Sequence, residues 1–349
     1  MERIITYAEA IREATAQEMA RDSSVFVLGM GVDDHVAMWG TTAGLQKKFG
    51  RMRVFDTPLS EDAMTGVAIG SALAGLRPIH AHIRMDFLLL ATNQIVNIAA
   101  KARYMYGGAV KIPAVFRSVI GRSWGQGAQH SQALHSLFMH VPGLKVVAPS
   151  TPYDAKGALI QSIRDDNPVL FIEHRMLHAM RGHVPARPYA VPFGRARVLR
   201  KGSDVTIIAV SYLVPESLRA ARLLEDARIR AEVIDPVSLS PLDMRTIVRS
   251  VKKTGRLLVA DNAWLTCGAA SEIITRTIEH FQGARLPVPK IARIGFQPVT
   301  CPPSRPLENL FYPNPRTIAL AAHQLVRGKR RWTPRGEISR EIAEFRGPF

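Results

Sequence analysis

The chain is poor in cysteine, in long apolar runs and in acidic residues. Only Cys267 and Cys301 occur in 349 residues. Two thiols exclude a disulfide framework and a multi-cysteine zinc site, and they point to the cytoplasm. The longest apolar stretches, such as 87–91 and 205–210, fall well below the roughly 18 residues a spanning helix needs, so no membrane span is expected. The opening Met1-Glu2-Arg3-Ile4-Ile5-Thr6 lacks the charged-then-apolar pattern of a secretion signal. There is no Walker loop and no complete GxGxxG fingerprint. Acid is scarce: 29 Asp and Glu stand against 46 Lys and Arg, a formal net charge of +17. Such a field attracts polyanions, phosphorylated ligands or an acidic subunit, and net charge does not choose among them. An Arg-rich solvated surface accounts for it equally.

What is present is an ordinary globular balance, 47% hydrophobic and 21% charged. The length predicts two domains. Residues 1–182 alternate helix and strand. Thr6 with Glu9 three residues on forms a capping box before a helix to about residue 20. Short apolar strands are expected at 25–28, 54–56, 78–83, 112–116, 145–148 and 169–172. Helices are expected between them at 63–74, 87–104, 131–140 and 152–164. Continuous apolar strands alternating with helices predict a parallel sheet covered on both faces, an α/β fold. Residues 183–203 hold Pro185, Pro188 and Pro192 and read as a linker. The alternation resumes over 204–326, a smaller α/β domain. Residues 327–349 form a basic tail, with Ile338, Ile342 and Phe345 at helical spacing.

Ligands of open parallel sheets bind beyond the carboxyl ends of the strands. Past 54–56 comes Thr57-Pro58-Leu59-Ser60-Glu61 and a helix rich in small residues. Glu61 sits at that helix's N-terminal end, where charge–dipole capping alone also explains it. Past 112–116 comes a long polar, glycine-rich loop, Gly121 to Gln132, carrying His130. His80 and His82 share a strand face, with no evident third ligand for a metal.

The order of the motifs resembles the β subunit of the heterotetrameric 2-oxo acid dehydrogenase first component, in the transketolase-like superfamily. The segments that carry it are Asp56–Glu61, Gly75-Leu76-Arg77-Pro78, Gln94-Ile95-Val96-Asn97 and Ala128-Gln129-His130-Ser131-Gln132. They continue through His140–Val147, Ile163–Pro168 and Pro241-Leu242-Asp243. The resemblance spans about residues 4–325. It implies a pyrimidine-binding thiamine diphosphate fold followed by a transketolase C-terminal-like domain. It also implies that Glu61 holds the pyrimidine N1′, that Leu59, Ile83 and Phe87 contact the cofactor, and that His130 is a catalytic donor. A monovalent cation, potassium, is implied at Asp165 and Asn167 with backbone oxygens of Ala114 and Ser162. The diphosphate and Mg²⁺ are implied to lie on a separate α subunit, because this chain has no Gly-Asp-Gly. An α2β2 assembly is implied as well, active only with both chains, with a lipoyl acyltransferase as acyl acceptor. Neither nucleic acid nor membrane is an expected partner.

Departures from the family pattern sit near the substrate. Met30 follows Gly29 where many members carry an acid, and charged Arg84 separates Ile83 from Met85. Arg122, Trp124 and Gln129 in the polar loop are candidates for altered substrate recognition. The basic tail would repel a basic docking domain. Two alternatives therefore stand: a two-chain transketolase or acyloin-forming carboligase, and an inactive scaffold or polyanion-binding protein reusing the fold.

Overall fold

The computed structural model describes residues 3–122, 125–328 and 330–335. The chain divides into two compact units. Of the described residues, one holds those up to Gly121 and again Leu137–Phe193; the other holds those within Arg122–Ser136 and from Gly194 to Arg335.

The strands of the first unit are β1 (Ile4–Thr6), β2 (Val25–Gly29), β3 (Val54–Phe55), β4 (Arg77–His82), β5 (Val115–Ile120), β6 (Lys145–Val147), β7 (Val169–His174) and β8 (Arg181–His183). Six of them align as β6-β7-β5-β4-β2-β3, all parallel. β2, β5 and β7 are buried along their whole length, as a sheet covered on both faces requires. The capping box forms as expected. Thr6 Oγ1 accepts from the Glu9 N–H at 3.1 Å, and the Glu9 carboxylate accepts from the Thr6 N–H at 2.7 Å. β2 ends at Gly29 with φ +143, where an added Cβ would lie 2.3 Å from the Ala81 carbonyl oxygen on β4. Only glycine lets the two strand ends close up there. The helix Glu61–Leu73 then packs Ala68 and Met64 against Phe26 and Leu28, which fixes the place of its first turn.

Two sequence expectations change. The stretch 87–104 is not one helix. It runs as Met85–Leu88 helical, Leu89–Ala91 as a 3-10 turn, Gln94–Ala99 as π-helix and Ala100–Met105 helical. Tighter and wider turns in succession rotate the buried face along the run. The segment 183–203 is not a free linker either. β8 pairs antiparallel with β1, Val184 is fully buried, and residues 197–200 enter the second sheet. The prolines lie between the paired stretches.

The second unit adds β9 (Arg197–Arg200), β10 (Val205–Ala209), β11 (Ala231–Asp235), β12 (Ser238–Ser240), β13 (Arg256–Trp264) and β14 (Lys290–Phe296). Five of them align as β14-β13-β10-β11-β9, parallel except for β9. Strand periodicity divides its core in two. Val205, Ile207 and Ala209 face the helices Leu213–Leu223 and Pro315–Arg327, while Ile208 faces Met244–Thr254 and Ala269–Gly283. The helix expected around Ile338, Ile342 and Phe345 lies outside the described residues. Among the described residues, no helix is long and apolar enough to cross a membrane.

Candidate active site

A small cleft opens at the carboxyl edge of the first sheet. One side is the turn after β3: Thr57, Pro58, Ser60 and Glu61. The other is the end of β4 with the short turn beyond it: His80, His82, Ile83, Arg84 and Phe87. Met30, just past β2, closes it. Glu61 is the first residue of its helix, a favourable place for a negative charge because unpaired backbone N–H groups converge there. The cleft thus sets one carboxylate against apolar walls of Met30, Ile83 and Phe87. Of the sequence candidates, Glu61, Ile83 and Phe87 come together. Leu59 lies in the same turn, but its side chain is 79% exposed and does not line the cleft.

His80 and His82 belong to the cleft, which sequence reading missed. Both rings are buried beside Thr65, whose hydroxyl stands 3.4 Å from His80 Nδ1 and 3.4 Å from His82 Nε2. Burial holds His80 down to about 3. It pulls His82 well below the usual imidazole range, with His80 adding to the effect. Both are neutral near pH 7. Nothing in a period-2 strand pattern signals the partner Thr65, which lies one helical turn after Glu61.

Arg84 is buried in the cleft wall. It donates from Nε to Asp86 at 2.8 Å and from Nη2 to the Gly121 carbonyl at 2.8 Å. Arg175 is buried too, stacked over Trp39 at 4.5 Å. Burial, and then the charge of Arg84, bring Arg175 down to about 9.

His130 belongs to the second unit. It ends a 3-10 turn, Ala128–His130, in which Ala128 and Gln129 are exposed and His130 is half-buried. Arg122 corrects an expectation. It is buried, its guanidinium engages Glu308 at 3.4 Å, Asn309, and the face of Tyr312 at 4.9 Å. A group so committed is structural, and not presented to a substrate. Trp124 lies outside the described residues.

The four cation candidates also meet partners within the chain. The Asp165 carboxylate accepts from Lys145 at 2.8 Å and from the Asn167 backbone and side-chain amides at 2.9 and 3.0 Å. The Ala114 carbonyl accepts from the Val169 N–H, and the Ser162 carbonyl from the Asp165 N–H. Lys145 already neutralises Asp165, so no potassium ion is needed for its charge. Among the described residues, no group of three or more His, Cys, Asp or Glu is placed to hold a metal.

A carboxylate at a helix start, facing apolar walls at the carboxyl edge of a parallel sheet and followed by a second α/β unit, defines a cofactor-binding protein of the transketolase type. Comparison with known proteins makes this specific. Residues 3–180 match the transketolase pyrimidine-binding domain, and residues 194–318 match the transketolase C-terminal domain. The chain is 44% identical to the acetoin:2,6-dichlorophenolindophenol oxidoreductase subunit beta of Cupriavidus necator, covering 94% of this chain and 99% of that one. It is 40% identical to the protein of the same name from Bacillus subtilis, covering 93% and 98%. It is 43% identical to the pyruvate dehydrogenase E1 component subunit beta of Rickettsia conorii, covering 82% and 91%. A solved structure described as split gene transketolase, inactive β4 tetramer, shares the fold with a TM-score of 0.75 at 21% identity, covering 93% of this chain and 99% of that one. The chain belongs to the family of β subunits of thiamine diphosphate-dependent 2-oxo acid dehydrogenases. Membership implies an α-subunit partner.

Proposed function

We propose that this chain decarboxylates a small 2-oxo acid, or cleaves the related acyloin, together with an α subunit in a cytoplasmic α2β2 enzyme. The acyl unit passes to the lipoyl group of an acyltransferase. The α subunit supplies the Mg²⁺ and the diphosphate contacts. The observation that carries this reading is the cleft that joins Glu61, Ile83 and Phe87. Its donor set suits a flat aminopyrimidine: a carboxylate for a ring nitrogen, an aromatic and an aliphatic face for the ring, and neutral imidazoles beneath.

Thiamine diphosphate, when bound, would supply an acidic ring carbon as the nucleophile and a positively charged ring as the sink for the electrons left by departing carbon dioxide. The chain's part is proton control. Glu61 shares a proton with the pyrimidine ring nitrogen. Met30, Ile83 and Phe87 would hold the ring and shield that hydrogen bond from water, which would strengthen it. Arg84, fixed by Asp86 and Gly121, keeps this wall from yielding. His130 donates a hydrogen bond to oxygen as charge develops there.

The test is turnover of pyruvate and of acetoin by the co-purified α and β chains, with thiamine diphosphate and Mg²⁺, using lipoamide or an aldehyde as acceptor. Glu61→Gln is expected to lower kcat by about 10²- to 10⁴-fold, the usual worth of a positioned proton-transfer group. A Gln variant with wild-type turnover would remove the reading. Product formed only with the aldehyde would replace the dehydrogenase by a carboligase.

A further inference from the structure

The loop that carries His130 comes after a strand of the first unit in sequence, yet it belongs to the second unit. Two buried pairs tie it there. At its start, Arg122 reaches Glu308 and Asn309 in the helix Arg305–Phe311 and lies over Tyr312. At its end, His135 Nε2 stands 2.9 Å from Asp261 Oδ1 on β13, both residues fully buried. A carboxylate only accepts, so Nε2 carries the proton. The other carboxylate oxygen accepts from the Ala270 N–H at 3.0 Å, in the first turn of the helix Ala269–Gly283. His135 Nδ1 is buried with no hydrogen-bond partner.

Between the two pairs the backbone is held close. Gly125 has φ +80, and a Cβ there would lie 2.3 Å from the Pro303 carbonyl oxygen. Gly127, Ser131 and Ala133 are buried, and among the described residues of the loop Ala128 and Gln129 are the exposed ones, with His130 half-buried beside them. The loop is therefore a short arch on two footings, with His130 in the short turn between them.

We propose that His135–Asp261 and Arg122–Glu308 are positioning pairs that set His130 from the second unit. This rests on His130 being the catalytic donor. An error of about 1 Å in such a group costs on the order of 10²-fold in rate, so two anchored ends explain why the chain buries four ionisable groups around one loop. Neither His135 nor Asp261 stands out in the sequence; they are 126 positions apart.

The test uses the assembled α–β enzyme. His135→Leu removes the donor to Asp261, and His135→Gln keeps an amide donor. Arg122→Met loosens the other footing and serves if His135→Leu fails to assemble. Hydrogen exchange of the backbone amides of 126–134 reports the arch directly. In His135→Leu or Arg122→Met, exchange is expected to rise at least about tenfold, as expected for a segment released to local opening. Turnover is expected to fall about 10- to 100-fold with KM and cofactor affinity within about twofold, the pattern of a misplaced group. His135→Gln is expected to recover most of both. Unchanged exchange, or a Gln variant no better than Leu, would overturn the proposal. His130→Ala is assayed in parallel. If it turns over normally while the arch loosens as expected in the other variants, the role given to His130 fails and the footings stand as structure alone.

Discussion

Two buried glutamates, one in each unit, move in opposite directions. Glu173 on β7 is buried, which by itself pushes its carboxyl up. Arg117 on β5 meets it with two bonds, 2.6 Å from Nε and 2.9 Å from Nη2, and His178 adds a third contact at 3.3 Å. These outweigh burial and hold Glu173 at about 2. Glu308 is also buried, but Arg122 meets it at only 3.4 Å while sharing its guanidinium with Asn309 and Tyr312. There burial prevails, and the carboxyl stays above its usual range. The lesson is that burial sets the cost, while the number and length of the bonds decide the sign. The first unit uses its pair to lock two central strands of its sheet. The second uses its pair to hold a loop.

The sharpest way to break the contrast is Glu173→Gln. Arg117 would keep its full charge, fully buried and facing an amide. Breaking a buried pair from one side costs about 3–5 kcal/mol. Denaturant unfolding at pH 7 should show that loss. The wild type carries a further signature. A carboxyl held low adds stability above the unfolded value near 4.5 and loses it as pH falls toward about 2. That acid-side slope should be smaller in the Gln variant. A loss below about 1 kcal/mol would mean that the two bonds add nothing beyond an ordinary buried hydrogen bond.

A smaller effect is expected on the loop side. Arg122→Lys keeps the charge but gives up the planar contact with Tyr312 and the fork that reaches Asn309 and Glu308 together. The expected cost is about 1–2 kcal/mol, the sum of one cation–π contact and one hydrogen bond. Thermal unfolding compared with Arg122→Met separates charge from shape. Equal losses in the two variants would assign the whole effect to the planar contact.

How far the sequence foretold these regions depends on distance along the chain. The parallel α/β architecture, the Thr6 capping box and the turn that presents Glu61 are written within a few neighbouring residues, and local periodicity reads such patterns. Phe87 and Ile83 join Glu61 because β4 lies beside β2 in the sheet, an arrangement expected of consecutive βαβ units. The resemblance named Leu59, Ile83 and Phe87, of which Ile83 and Phe87 line the cleft. What local pattern does not encode is pairing across the chain. Arg122 looked like a free cation because Glu308 is 186 positions away. The histidines at 80 and 82 read only as a strand-face pair with no third ligand for a metal, and their shared neighbour Thr65 went unseen because it approaches from a helix packed on the strand. The broken run over 85–105 escaped notice because its composition suits any helical turn, tight or wide.

The smallest expected effect is the most diagnostic of the contrast. Glu308→Gln removes a carboxyl that burial holds above its ordinary value. Such a group binds its proton more tightly folded than unfolded, so its contribution is present below the unfolded value near 4.5 and is lost as pH rises through the folded one. Once ionised, Glu308 is therefore a burden, relieved in part by Arg122. The Gln variant should be within about 1 kcal/mol of wild type there, in contrast to Glu173→Gln, because an amide still accepts from Arg122 and carries no charge to desolvate. Its stability should also decline less than that of wild type as pH rises from the unfolded value toward neutrality. The two glutamine variants thus alter the pH slope in opposite directions, on the acid side for Glu173 and toward neutrality for Glu308. A Glu308→Gln loss as large as that of Glu173→Gln would show that the 3.4 Å contact works as a full ion pair, and that the loop is locked as firmly as the sheet.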